Sequence, residues 1–144
     1  MAEQSTGRVA LMAIRPEFAD QILEGVKRVE FRKRALAADV TQVVVYASAP
    51  ISAIVGAFSV RSQTTKHPSA LWASYSEVGG ISRAAYAQYF EGCECGTAIE
   101  VGQVWRASSP IALGSAGVGR APQSFQYLLP RVAGELLTGM HQTK

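Results

Sequence analysis

A chain of 144 residues, 48% apolar and 17% charged, is long enough for one real core and too apolar for a disordered segment. Its formal charge of +3 permits a polyanionic partner without requiring one. No run approaches the roughly 20 apolar residues of a spanning helix, and MAEQSTGR has no apolar segment behind a basic cluster. A soluble cytoplasmic protein without membrane span or secretory leader is therefore expected.

Residues 1–8 read as a flexible tail, 9–138 as a single domain and 139–144 as a second tail. RVALMAIR is a dense apolar run of strand length, and Pro16 after it suits the first turn of a helix. In PEFADQILEG the apolar residues Phe18, Ala19, Ile22 and Leu23 recur at helical spacing, with Gly25 placed to end the helix in a left-handed conformation. KRVEFRK then alternates, Val29 and Phe31 opposite Arg28, Glu30 and Arg32, which is strand patterning. TQVVVYAS and AIVGAFSV are β-branched strands separated by a proline turn.

HPSALWASY and SRAAYAQYFEG have helical spacing, the second with Ser82 as N-cap and an end near Gly92. GTAIEVGQVWRA returns to strand character. SSPIALGSAGVGRAPQS is rich in Gly, Ser and Ala and reads as a loop, and LPRVAGELL as a last helix from Pro130. Five or six strands with small helices between them lack the regular alternation of a doubly wound sheet. The expected fold is α+β, a small, partly closed mixed β-barrel with short peripheral helices.

The segment IRPEFADQILEGVKRVEFRKR carries Gly25, Lys27, Glu30 and Arg32 in the pattern Gly-x-Lys-x-x-Glu-x-Arg. It resembles the signature of the ASCH domain, a branch of the PUA-like superfamily. VVVYASAPISAIVGAFSV resembles that family's next strand pair, with its Ser-x-Pro junction, and PQSFQYL the segment that closes its barrel. The similarity runs from about Val9 to Leu128. It implies a PUA-like barrel with a cleft beside the motif strand, in a family proposed mainly to bind RNA or other nucleic acid, with some members acting as enzymes on nucleic acid or modified nucleosides.

On this basis Lys27 and Arg32 are expected to meet an anionic or acceptor-rich ligand, Lys as a point charge and Arg as a planar fork. Glu30 either accepts from the amino group of a base or holds the two cations in place. Ser48, Gln123 and Ser124 would add neutral donors and acceptors if the chain closes as the family does, and Phe125 and Tyr127 could stack on an unpaired base. The plain alternative is an exposed Glu30–Arg32 ion pair worth at most about 1 kcal/mol, with the aromatics in the core. Lys27 and Glu30 are three residues apart and point oppositely in a regular strand, so they converge only if Lys27 lies in the turn after Gly25 or a bulge intervenes. Arg28, Lys33 and Arg34 read as solvated charge able to steer a polyanion.

The other patterns carry less. GSAGVG lacks the Gly-Lys-Ser/Thr of a phosphate loop, although Arg120 beside it could reach a ligand. Cys93 and Cys95, with only His67 and His141 as soft partners, lack regular zinc-site spacing, so no metal or cofactor is expected. ASCH-like amidohydrolases acting on acylated cytidine place a threonine nucleophile three residues after the lysine, where this chain has Glu30. The leading expectation is a domain that binds RNA, other nucleic acid or a nucleotide. The alternative is a small hydrolase of RNA or a modified nucleoside, with Lys27 and Glu30 as acid and base.

Overall fold

The computed structural model describes residues 7–142. β1 (Arg8–Ile14) runs parallel to β3 (Val40–Ala47) and antiparallel to β6 (Phe125–Tyr127), and it is covered on both faces. Ala10, Met12 and Ile14 enter one core while Val9 and Leu11 enter another. An interior strand buried on both sides has no solvent-facing positions, which is why its sequence is a continuous apolar run.

One sheet of seven strands runs in the order β2-β5-β4-β3-β1-β6, with β7 paired to β5. β2 is Val29–Arg32, β4 Ala53–Lys66, β5 Gly96–Ile111 and β7 Met140–Gln142. The long antiparallel pair of β4 and β5 carries register shifts between Ile54 and Gly56, Phe58 and Val60, and Val60 and Ser62. Such bulges bend and twist a strand, and the sheet curls into a half-barrel.

Among the described residues four short α-helices dress this sheet: α1 (Pro16–Leu23), α2 (Pro68–Tyr75), α3 (Arg83–Tyr89) and α4 (Pro130–Thr138). α1 begins on Pro16 and buries Ala19, Ile22 and Leu23 in the first core. α4 buries Val132, Ala133 and Leu136 in the second core, beside Met140 of β7. α2 and α3 lie between β4 and β5 in the chain and build a third cluster in which Leu71, Tyr86 and Phe90 pack with Val29, Phe31 and Ala98. Ser82 caps α3, its hydroxyl accepting from the Ala85 amide at 3.1 Å.

The structure departs from the expected elements at the C-terminal side. Residues 108–111, read as the start of a loop, are the end of β5, with Ile111 opposite Ile54; their polar character reflects solvent exposure of a paired strand. Residues 140–142, read as tail, form β7 with Met140 opposite Ala107, because Met140 has the second core to enter. Among the described residues the strand count is therefore seven. At the other end Arg8 already belongs to β1, and residues 1–6 and 143–144 of the expected tails lie outside the described residues. The Gly114–Gly119 stretch is neither helix nor strand, and Val118 within it is buried in the second core, which makes it a cover for that core. Among the described residues no helix is long and apolar enough to cross a membrane.

Gly56 sets how closely α1 approaches the sheet. A Cβ there would lie 2.6 Å from Leu23 Cδ2 and would collide with the Trp105 backbone carbonyl. Gly56→Ala is expected to lower unfolding stability by about 1–3 kcal/mol through overpacking, read as a reduced urea midpoint at unchanged slope.

Candidate functional site: a charged cleft in the open seam

The end of α1 determines where Lys27 goes. Gly25 adopts φ +84°, the Gly25 amide donates to the Ile22 carbonyl at 3.1 Å, and the Val26 amide donates to Gln21 at 2.9 Å. These are the two bonds of a glycine-terminated helix cap. The Lys27 amide also donates to Gln21, at 3.1 Å, so Lys27 lies in the turn, and β2 begins only at Val29. The turn is the irregularity that lets Lys27 and Glu30 face each other.

Lys27 is 3% and Glu30 7% exposed, with Nζ 3.5 Å from Oε1. Lys27 Nζ also donates to the Gly79 carbonyl and lies 5.1 Å from the centroid of Phe18. Gly80, at φ +67°, lets this carbonyl-bearing segment pass close by, since a Cβ there would sit 3.2 Å from Lys27 Cβ and Cδ. Arg32 contacts the second oxygen of Glu30, with Nε at 3.0 Å and Nη2 at 2.9 Å. Its Nη2 donates to the Ala13 carbonyl at 2.7 Å and its Nη1 to the Ser124 hydroxyl at 3.0 Å. Both oxygens of Glu30 thus hold a cation, and the trio keeps one net positive charge. Burial pushes the Lys27 ammonium below its ordinary pKa; Glu30 opposes that shift, and Arg32 adds to it.

These side chains floor a cleft of about 440 Å³ between the end of β1, the β2 strand and α3. Arg15 and Phe18 form one side, and Ile81, Ala85, Gln88 and Tyr89 the other. Such a volume falls within the range of small-molecule sites.

The expected site residues divide into two groups. Lys27, Glu30, Arg32 and Ser124 are joined by direct contacts. Ser48 is half-buried, with its amide donating to the Ile14 carbonyl at 2.9 Å, and it does not line the cleft. Exposed Gln123 does not line it either. Phe125 packs against the first core, and Tyr127 lines a separate cavity of about 360 Å³ by α4, where its hydroxyl accepts from the Ala37 amide at 3.0 Å. Arg120 is exposed outside the cleft. Cys93 and Cys95 are free thiols, and no group of three or more potential metal ligands occurs among the described residues. The aromatic and neutral polar walls instead come from α1 and α3, whose residues look in sequence like ordinary helix surface. The available signal was the spacing of Ala85, Gln88 and Tyr89, which shares one helix face.

The family model of the ASCH domain matches residues 12–104. Over 90 residues the chain is 34% identical to the ASCH domain-containing ribonuclease of Zymomonas mobilis subsp. mobilis, covering 62% of this chain and 61% of that protein. Over 127 residues it is 28% identical to the large ribosomal subunit protein uL22 of Ureaplasma parvum serovar 3, covering 88% of this chain and 41% of that protein. The chain therefore spans less than two thirds of these curated relatives. The crystal structure of ASCH from Zymomonas mobilis is similar with a TM-score of 0.81 and 27% identity, covering 94% of this chain and 98% of that one. The N-terminal domain of McrB from Staphylothermus marinus shares the fold alone, at a TM-score of 0.57 and 11% identity over 96% of this chain and 97% of that one.

The lowered Lys27 pKa has a measurable sign. Between that value and the ordinary lysine value the unfolded chain holds the proton that the folded chain has released, so stability rises with pH across that window. Below the window Lys27 is charged in both states and its desolvation cost is present in full. Urea unfolding across the alkaline range is expected to show this rise in the wild type and a smaller rise in Lys27→Met. Parallel profiles would remove the assignment.

Proposed function

The chain belongs to the ASCH domain family, and from that premise we propose that it binds single-stranded RNA, taking a nucleotide into the cleft floored by Lys27, Glu30 and Arg32. The observation that carries this reading is the buried Lys27–Glu30 pair with part-buried Arg32, which together keep one net positive charge at the base of a cleft with aromatic walls. Phosphate is attracted by the surplus charge, and Arg15 on the exposed side adds a second cation. Tyr89 and Phe18 offer ring surface to a base, and unstacked bases of single strands are commonly held in this way. Relatedness to an RNA-cleaving protein supports RNA as the polyanion, and the same chemistry accepts a free nucleotide more weakly because fewer phosphates are met.

Fluorescence anisotropy with a labelled single-stranded RNA tests the reading. Affinity is expected to fall steeply between low and physiological salt. Arg15→Ala is expected to weaken binding and reduce the log–log salt slope by about 1, while Lys27→Met removes the surplus charge of the floor and most of the affinity. Absence of binding to RNA, DNA or nucleotides at low salt would sink the proposal.

A second reading is cleavage of RNA or of a modified nucleoside. It is favoured by the pKa of Lys27, which burial brings closer to the working range of an acid or base, and by the 34% identity with a ribonuclease. Here Glu30 takes a proton from the attacking hydroxyl or water, and Lys27 returns one to the leaving oxygen or nitrogen. Glu30→Gln is expected to lower turnover by about 100-fold or more in assays on RNA and acylated nucleosides, with and without divalent metal. Turnover that survives the substitution would exclude this pair of roles.

A further inference from the structure

On the reading of the cleft as a nucleotide pocket, we propose that α3 carries a nucleobase-reading subsite in which Gln88 hydrogen-bonds the edge of an unpaired adenine and Tyr89 stacks on it. The floor has little capacity left for such reading. Lys27 is engaged by Gly79 and Glu30, and Arg32 by Glu30, Ala13 and Ser124.

The α3 wall is free to do it. Ala85, Gln88 and Tyr89 stand at i, i+3 and i+4 and all three line the cavity. Gln88 is exposed, and its side-chain amide makes no hydrogen bond among the described residues. A primary amide presents a donor beside an acceptor, which pairs with the amino and ring nitrogens of adenine and can also meet a pyrimidine edge; adenine is favoured because its larger ring covers more of Tyr89. Ala85 fills little of the space between. Tyr89 is 37% exposed, with Lys33 Nζ 5.0 Å from its ring centroid, which brings an ammonium to the rim of the same wall. Burial raises the pKa of the Tyr89 hydroxyl, so the ring stays neutral while it stacks.

The support behind this wall is rigid. On the adjoining face of α3, Tyr86 packs edge-on against Phe31 at 4.8 Å between centroids, and its hydroxyl donates to the Pro68 carbonyl at 2.6 Å. A reading group held by such packing keeps its register with the charged floor.

The test measures anisotropy of labelled oligo(rA), oligo(rC) and oligo(rU) with the wild type, Gln88→Ala and Tyr89→Leu. Oligo(rA) is expected to bind tightest to the wild type. Gln88→Ala should weaken oligo(rA) by about 10-fold and the other two by clearly less, so that the preference is lost. Tyr89→Leu should weaken all three alike, by about 10-fold. If the wild type binds RNA without preferring oligo(rA), or Gln88→Ala keeps the preference, the subsite is overturned and the RNA reading stands. Wild-type affinities in Tyr89→Leu overturn the stacking role, and a wild type that binds no RNA overturns both readings.

Discussion

The guanidinium of Arg32 spans the open seam of the half-barrel, and the geometry around the cleft depends on that junction. β2 ends the sheet on one side and β6 on the other, and among the described residues no ladder joins β2 to β1. A single side chain on β2 reaches across to the Ala13 carbonyl of β1 and to Ser124 just before β6, while holding Glu30 of its own strand. Arginine can make these contacts together because its donors lie in one rigid plane; a lysine ammonium would reach one side or the other. Were the two edges zipped by backbone pairing, the barrel would close and the cleft would vanish. The side-chain junction leaves an opening.

Stability is a poor explanation for the buried Lys27–Glu30 pair and part-buried Arg32 at this junction. Desolvating charges is expensive, and well-packed apolar residues of similar volume often serve stability at least as well as a buried ion pair. Burial lowers the pKa of Lys27 for the same reason. What apolar residues could not provide is a charge held in place at the bottom of a cleft, with its donors aimed by partners, as the proposed binding reading requires. The arrangement fits a site that gives up some folding free energy for preorganisation.

The outer wall is a separate construction on the same sheet. The long arms β4 and β5 extend past the first core and carry α2 and α3, whose aromatic cluster closes over β2 through Phe31. Phe31 touches both the cluster and the cleft, and the Val78 and Gly79 carbonyls accept from the Arg28 amide and from Lys27. The wall and floor are thereby locked in register.

Much of the fold could be read from local pattern, because local pattern is what the backbone responds to first. Pro16 opened α1, Gly25 ended it with a positive φ, and the alternation at residues 29–32 gave β2. The apolar runs of β1 and β3 followed from burial on both faces. β7 and the end of β5 were not readable, since short or polar strands are specified by the partner they meet rather than by their own composition. The motif Gly25, Lys27, Glu30 and Arg32 likewise marked the charged floor, and the glycine cap was foreseeable as the bend it needed. Two matters were decided by tertiary structure alone. Ser124 joins Arg32 across ninety-two positions in the chain, and α3 rather than the β6 aromatics faces the cleft. Sequence by itself determined which residues carry the charge and where the chain turns, because both are properties of neighbours along the chain. Which side chains surround that charge depended on how a bulged sheet curls and which distant segments its curvature brings together.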